Sequence, residues 1–157
     1  MPDLIVAVAG ALLAVAIAVA TFLIGAKRRE REAIQSLIDQ AHERRALSKP
    51  SRVRNILLAS RRGEFHRVVA SVLSLRGEVN RVRGLVRVKP PLQNPLAHMA
   101  LSCNQFLEVV EKNPESYLIL AAELRRDLAE DISRLVEARR GLVFREPGEG
   151  ALDDSDD

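Results

Sequence analysis

The chain has 157 residues and a formal net charge of +3, and aromatic residues make up only 3% of it. Its single cysteine, Cys103, excludes an intramolecular disulfide framework and a cysteine-based zinc site. We interpret Cys103 as a small buried apolar side chain rather than as a reactive thiol. The abundance of Leu, Val, Ala and Arg favours helices that pack through aliphatic side chains, and it predicts an all-α protein.

The first predicted element is an uninterrupted apolar run over residues 4–26. At a rise of about 1.5 Å per residue, a helix of this length crosses a hydrocarbon core of about 30 Å. A cleaved secretory signal is the alternative, because residues 18–20 resemble a cleavage site with small side chains. However, no Lys or Arg precedes the run, and the run continues beyond that site. We therefore predict that residues 1–26 form an uncleaved transmembrane anchor.

Basic residues lie directly after the apolar run, whereas only Asp3 precedes it among charged side chains. They are Lys27, Arg28, Arg29 and Arg31. The positive-inside bias places such a flank in the cytoplasm, and it predicts a single-pass protein of the cell (inner) membrane with its N-terminus outside. The same side chains are predicted to bind anionic lipid headgroups, each contributing about 1 kcal/mol near the surface.

Small residues recur in alternating steps of four and three along the predicted anchor. They are Ala7, Ala11, Ala14, Ala18, Thr21 and Gly25. Because helices associate in membranes through close backbone approach, this stripe predicts packing against a second copy of the chain or against a partner helix. Ala is common throughout the run, so a stripe without a partner is equally compatible with the sequence.

The region after the anchor is predicted to contain about four or five helices and to face the cytoplasm. A basic juxtamembrane helix at 27–49 extends through Leu47, because a proline follows three residues later. A helical bundle domain at 50–145 comes next. Its first helix is predicted to begin with Ser51 as the cap and to end near Gly63.

The next predicted helix starts at Glu64 and places apolar residues three or four positions apart as far as Val86. Gly77 and Gly84 each cost about 1 kcal/mol relative to Ala, and Val lowers helix propensity. The sequence therefore leaves open a kink or an early end near either glycine, or a short strand at 85–88.

Three prolines within residues 89–95 predict a loop. A further helix then extends to Lys112, and the last helix begins with Asn113 as its cap and ends before Gly141. The segment 146–157 is acidic and contains Gly and Pro, so it is predicted to be a disordered tail.

No motif in the sequence predicts catalysis. A Gly-rich phosphate loop is absent, and His42-Glu43 fails as the start of a zinc-protease motif because Ala46 stands where the second His belongs. His98 and Cys103 are five residues apart, which is a poor spacing for two metal ligands on one helix. We therefore predict a protein that is not an enzyme and that has no catalytic residue, no metal site and no cofactor.

The charge divides the chain into a basic half and an acidic half. Residues 27–89 contain 17 Lys or Arg and 6 Asp or Glu, whereas residues 90–157 contain 7 and 14. Such asymmetry indicates docking partners or surfaces. The Arg-rich segment 44–89 suggests binding to anionic lipid or nucleic acid, but Phe65 is its only aromatic residue, so nucleic acid is the less favoured partner.

The function predicted best is a membrane-anchored helical scaffold or accessory subunit that mediates protein–protein interaction at the cytoplasmic membrane face. Its predicted contacts are a protein partner or a homo-oligomer, together with anionic headgroups. Two alternatives remain open. One is a lipid or nucleic-acid binding module that uses segment 44–89, and the other is an enzyme or regulator whose site is assembled from residues distant in sequence.

Overall fold

The computed structural model describes residues 2–48, 61–86 and 89–150, except the side chains of residues 2–9, 11, 61 and 62. Within these ranges the chain forms four α-helices and no strand: α1 (Pro2–Glu43), α2 (Arg61–Leu85), α3 (Pro90–Lys112) and α4 (Tyr117–Ala138). A single turn of 3-10 helix, Arg45–Leu47, follows α1, and another, Pro114–Ser116, precedes α4. The prediction of an all-α fold is confirmed, while the helix predicted to begin at Ser51 lies outside the described residues as far as residue 60.

Helices α2 and α3 are antiparallel neighbours. At their connected ends, Gln93 Nε2 donates to the backbone oxygens of Arg83 (3.1 Å) and Val86 (3.0 Å). Further from the connection, Arg76 Nη1 donates to Asn104 Oδ1 (3.1 Å). The short turn at residues 113–116 then returns the chain, so that α4 packs along α3 in the opposite direction.

One apolar core joins all four helices. The largest fully buried side chains are Ile34, Leu37, Ile38, Leu75, Leu96, Met99, Leu128, Ile132 and Leu135. Each lies on a helix face that the spacing of apolar residues predicts, because positions three and four apart project from one side of a helix. The second half of α1 therefore belongs to the same core as α2, α3 and α4.

Helix α2 continues through both of its glycines. Gly77 and Gly84 lie within Arg61–Leu85, and no heavy atom lies within 4 Å of a Cβ added at either position. The early end that the sequence left open does not occur at Gly77, whereas α2 ends at Leu85, one residue after Gly84. Burial of the apolar face from Val68 to Val86 offsets the low helix propensity of this segment.

The loop predicted at residues 89–95 is wrong, because α3 already begins at Pro90. Two of the prolines occupy the first turn, where a backbone N–H has no partner within the helix and its loss costs little. Pro95 lies inside the helix and is buried together with Leu92 and Leu96. Burial of these side chains compensates for the backbone hydrogen bond that Pro95 cannot donate.

The N-cap predicted for the last helix is also wrong in detail. Asn113 precedes the 3-10 turn Pro114–Ser116 and forms no side-chain cap hydrogen bond, and α4 begins only at Tyr117. Pro114 does occupy the first position of a helical turn, as predicted, but that turn has the 3-10 geometry that often precedes an α-helix.

The predicted transmembrane helix is not supported by the structure. Among the residues whose side chains are described, no helix is long and apolar enough to cross a membrane. The apolar run covers residues 4–26, and the side chains of 4–9 and 11 lie outside that set. The backbone of the run is helical throughout, since it forms the first part of α1.

Residues 142–150, here called the C-terminal segment, lie along α1. Gln35 holds its start, since Val143 N donates to Gln35 Oε1 (2.9 Å), and Gly148 N donates to the backbone oxygen of Ala41 (2.9 Å). His42 Nδ1 lies 2.8 Å from the backbone oxygen of Glu146. The disordered tail predicted from residue 146 therefore does not describe residues 146–150, and residues 151–157 lie outside the described part of the chain.

The end of the C-terminal segment requires a glycine at position 148. Gly148 has φ +76, and a Cβ there would lie 2.2 Å from the backbone carbon of Leu47. Gly148→Ala is therefore expected to detach the C-terminal segment from α1, because the left-handed conformation and the backbone clash both oppose a side chain. Hydrogen–deuterium exchange of residues 142–150 should accelerate by at least about fivefold, which corresponds to the roughly 1 kcal/mol of conformational strain alone.

The matched control is Gly77→Ala, since nothing lies near the added Cβ in the middle of α2. This control should leave exchange in the C-terminal segment unchanged and stabilise the fold by up to about 1 kcal/mol. Unchanged exchange of residues 142–150 in Gly148→Ala would contradict the contact described here.

Candidate functional site

The four predicted juxtamembrane cations are exposed on α1, and they are Lys27, Arg28, Arg29 and Arg31. They lie where α1 changes from an exposed apolar helix to a core helix of the bundle. Before them, Leu12, Val15 and Ile24 are each more than half exposed; after them, Ile34 is completely buried. The cations therefore mark the end of the bundle from which the apolar part of α1 projects.

Part of the predicted small-residue stripe is described by the structure. Ala14, Ala18 and Thr21 are exposed, and Gly25 is half-buried. Thr21 Oγ1 donates within the helix to the backbone oxygen of Ile17 (2.9 Å). The side chains of Ala7 and Ala11 lie outside the described set, and packing of the stripe against a partner stays a prediction.

Three of the four juxtamembrane cations, Lys27, Arg28 and Arg31, line a cleft of about 770 Å³ at the same end of the bundle. Its lining comes from three parts of the chain that are far apart in sequence. The residues of this basic cleft are Lys27, Arg28, Arg31, Glu32 and Gln35 of α1, Lys89 just before α3, and Arg139 and Arg140 just after α4. Six of these eight side chains are cationic and one is anionic.

Arg139 joins the end of α4 to the part of α1 that packs in the bundle. Its Nη1 donates to Glu30 Oε2 (3.0 Å), and its Nη2 donates to the backbone oxygen of Lys27 (2.7 Å). Glu30 is buried, so this ion pair is shielded from solvent and fixes the relative position of the two helices. A buried carboxylate without its cation would be costly, which makes Arg139 a structural member of the cleft.

Gly141 lets Arg31 approach the turn that follows α4. It has φ +88, and a Cβ at this position would lie 2.9 Å from Arg31 Cζ. The guanidinium of Arg31 therefore packs directly on the backbone beside Arg139 and Arg140. Helix α4 ends at Ala138, and Arg139 follows it in an extended conformation, so the prediction that Gly141 closes the helix is wrong in detail. Gly141 instead forms part of the turn beside the basic cleft.

The Arg-rich segment 44–89 does not form a single basic surface among its described residues. Arg44 donates to the backbone oxygen of Ser71 (2.7 Å) and to Ser74 Oγ (3.2 Å), and partial burial lowers the pKa of its guanidinium. Arg76 bonds to Asn104, and Arg81 pairs with Glu78 (2.7 Å). These arginines connect helices or neighbouring turns, so Lys89 is the member of the segment that lines the basic cleft.

A polar pair between α3 and α4 was missed by the sequence analysis. His98 Nδ1 lies 2.7 Å from Oδ2 of the completely buried Asp131, and Arg134 donates to Asp131 Oδ1 (3.3 Å). Burial raises the pKa of Asp131, and the hydrogen bond from His98 opposes that shift. Residues 98 and 131 lie on different helices, so the spacing of residues along one helix does not reveal the pair. The two hydrogen bonds explain why an aspartate can be buried at this position.

Asp131 gives the fold a dependence on pH with a defined sign. Its pKa in the folded chain lies above the ordinary value of 3.8, so the folded chain binds this proton more tightly than the unfolded chain. Relative to Asp131→Asn, the native chain is therefore expected to gain stability as the pH falls from the raised pKa towards 3.8. Urea unfolding of both proteins across this range measures the difference, and Asp127→Asn, at a more exposed carboxylate, is the control.

Cys103 is completely buried in the core, as predicted. Burial raises the pKa of its thiol to about 12, although Arg44 and Arg76 oppose the shift. Because the thiolate is the reactive form, a thiol with this pKa is inert near neutral pH. Cys103 therefore packs like a small apolar residue and takes no part in a site.

The comparisons with known proteins give no relative. No family model, no curated protein and no solved structure matches this chain. The basic cleft, the His98–Asp131 pair and the exposed apolar part of α1 are therefore interpreted from their chemistry alone.

Proposed function

We propose that this protein is a membrane-anchored helical scaffold or accessory subunit that mediates protein–protein interaction at the cytoplasmic face of the cell (inner) membrane. In this proposal residues 1–26 span the bilayer with the N-terminus outside. The later part of α1 and the helices α2–α4 lie on the cytoplasmic side, and a protein partner or a second copy of the chain binds to this bundle. The proposal assigns the protein no catalytic step.

The observation that carries the proposal is the division of α1 into two parts with opposite surroundings. One continuous helix extends over Pro2–Glu43. Its earlier part exposes many large apolar side chains, among them Leu12, Leu13, Val15, Ile17, Val19, Phe22 and Ile24. Exposed apolar surface of this extent marks a membrane or protein contact, and hydrocarbon is the medium that suits a helix without a polar face.

The position of the cations supports the proposed orientation. Lys27 and Arg28 follow the apolar run directly, and the fold adds Lys89 and Arg140 at the same end of the bundle. Cations beside the end of a spanning helix favour its cytoplasmic side. Tertiary structure thus extends the basic flank beyond the four residues visible in the sequence.

Membrane fractionation tests the proposal. The full chain should remain in the membrane pellet after washing with high salt and then with alkaline carbonate, because a spanning helix is held by hydrophobic transfer rather than by charge. A protease should digest the bundle in inside-out vesicles and spare it in sealed right-side-out vesicles. Release by carbonate would overturn the anchor, and digestion from the outer side would overturn the orientation.

The scaffold role is tested separately by purification of the full chain from native membranes in mild detergent. A stoichiometric protein partner or a defined homo-oligomer is expected. A monomer without a partner would contradict the scaffold role even when the anchor itself is established.

A further inference from the structure

We propose that the basic cleft is a binding site for the headgroups of anionic phospholipids in the cytoplasmic leaflet. This inference rests on the proposed function, because the membrane anchor is what places the cleft at the headgroup layer. It goes further by naming a site that is assembled from three parts of the chain.

The first argument is the excess of cations without a carboxylate partner. Arg28 pairs with Glu32 (2.8 Å), and Arg139 pairs with Glu30 (3.0 Å). Within residues 2–48, 61–86 and 89–150, no ion pair involves the remaining four cations of the cleft, Lys27, Arg31, Lys89 and Arg140. Four unpaired cations around one cleft create a positive potential that attracts phosphate oxygens.

The second argument is the position of these cations. Lys27 is the first residue after the apolar run, and Lys89 and Arg140 come to the same cleft from the start of α3 and from the turn after α4. A bilayer that surrounds the earlier part of α1 therefore ends where the cleft opens. The headgroup layer and the cleft meet without any movement of the bundle.

The third argument favours lipid over nucleic acid. All eight residues that line the cleft are aliphatic in their stems and charged or polar at their tips, and none is aromatic. Single-stranded nucleic acid is bound through bases stacked on aromatic side chains, whereas a phospholipid headgroup requires only cations and hydrogen-bond donors. The exposed apolar surface of α1 beside the cleft also matches acyl chains.

The cleft is rigid, so it is expected to bind a headgroup more tightly than a flexible basic segment with the same charges would. Arg139 fixes α4 to α1 through Glu30 and the backbone of Lys27, and Arg31 packs on Gly141. The cations are thus held together before a ligand arrives, so binding costs less conformational entropy. We therefore expect preference for lipids with anionic headgroups and not merely for any negative surface.

The test uses the full chain in detergent, titrated with dihexanoyl phosphatidylserine and, separately, with dihexanoyl phosphatidylcholine. The native protein should bind the serine lipid and show no saturable binding of the choline lipid. Lys89→Ala combined with Arg140→Ala should weaken binding by about 30-fold, because each cation near an anionic headgroup contributes about fivefold. Neither residue belongs to the pairs that hold α4 to α1.

The matched control is Lys112→Ala combined with Arg126→Ala, which removes one Lys and one Arg exposed elsewhere on α3 and α4. It should bind the serine lipid like the native chain. Equal losses in both double variants would overturn the site. So would inorganic phosphate or a single-stranded oligonucleotide that binds the native chain more tightly than the serine lipid does.

This titration does not depend on insertion of α1 into a bilayer. If carbonate released the chain but the cleft still bound anionic headgroups specifically, the proposed anchor would be refuted and the proposed lipid site would stand. If the chain resisted carbonate but did not distinguish the serine lipid from the choline lipid, the proposed lipid site would be refuted and the proposed anchor would stand.

Discussion

Val15→Arg combined with Val19→Arg is expected to release the full chain from membranes that retain the native protein. The two valines lie one turn apart in the middle of the apolar run, and they are 61% and 51% exposed on α1. Arg at the centre of a spanning helix is disfavoured by about 2.5–3.5 kcal/mol and Val is mildly favoured, so the pair of substitutions costs about 6–8 kcal/mol of insertion free energy. The fraction of protein that resists alkaline carbonate measures this effect.

Val15→Leu combined with Val19→Leu is the control, because it keeps the run apolar and changes only the shape of two side chains. This variant should remain in the carbonate-resistant fraction. Circular dichroism of the released arginine variant should still show a helical bundle, since both positions lie outside the core. Full carbonate resistance of the arginine variant would mean that the apolar part of α1 does not span the bilayer.

Leu128→Ala is expected to have the largest effect on the stability of the bundle. Leu128 lies on α4 and is completely buried in the core shared by the four helices. Truncation of a fully buried leucine loses its transfer free energy and leaves a cavity, which together cost about 2–5 kcal/mol. Chemical unfolding of the full chain, followed by circular dichroism, should show this decrease in the free energy of unfolding.

Leu101→Ala is the matched control on the neighbouring helix, because Leu101 is 50% exposed on α3. Its substitution should change the free energy of unfolding by no more than about 1 kcal/mol, as is usual for partly exposed side chains. Equal effects at the two leucines would show that α4 does not pack as described.

The helical fold and its buried faces followed from local patterns. The spacing of Val68, Val72 and Val79 predicts the face of α2 that is buried, and Leu128, Ile132 and Leu135 do the same for α4. Such patterns are readable because side chains three and four positions apart share a side of the helix whatever the helix packs against. The ion pair between Glu130 and Arg134, four positions apart on α4, forms for the same reason.

The start of α3 was mispredicted because the sequence shows that prolines disfavour a helix but does not show the burial that compensates for them. The gain comes from burial of Leu92, Pro95 and Leu96 against other helices, and from Gln93, which bonds to the end of α2. The C-terminal segment was missed for a related reason. Its hydrogen bonds lead to Gln35 and Ala41, more than one hundred residues earlier, and no local pattern announces such partners.

The candidate site was only partly predictable. Lys27, Arg28 and Arg31 stood out because they follow an apolar run, and they are three of the six cations of the basic cleft. Lys89 was interpreted as part of an Arg-rich segment, and no local pattern connected Arg140 with the cations that follow the apolar run. The similar lengths of α3 and α4 and their short connection were the available signal, because antiparallel helices of equal length bring the start of one beside the end of the other.

The sequence alone determined that this chain is helical, which helix faces are buried, and that an apolar run is followed directly by cations. These properties depend on residues within a few helical turns of one another, so a short stretch of sequence is enough to predict them. Only the tertiary structure decided which ends of the helices meet, and with them the basic cleft, the His98–Asp131 pair and the C-terminal segment along α1. Those contacts join residues that are distant along the chain, and they exist only because burial of one shared core fixes how the four helices pack.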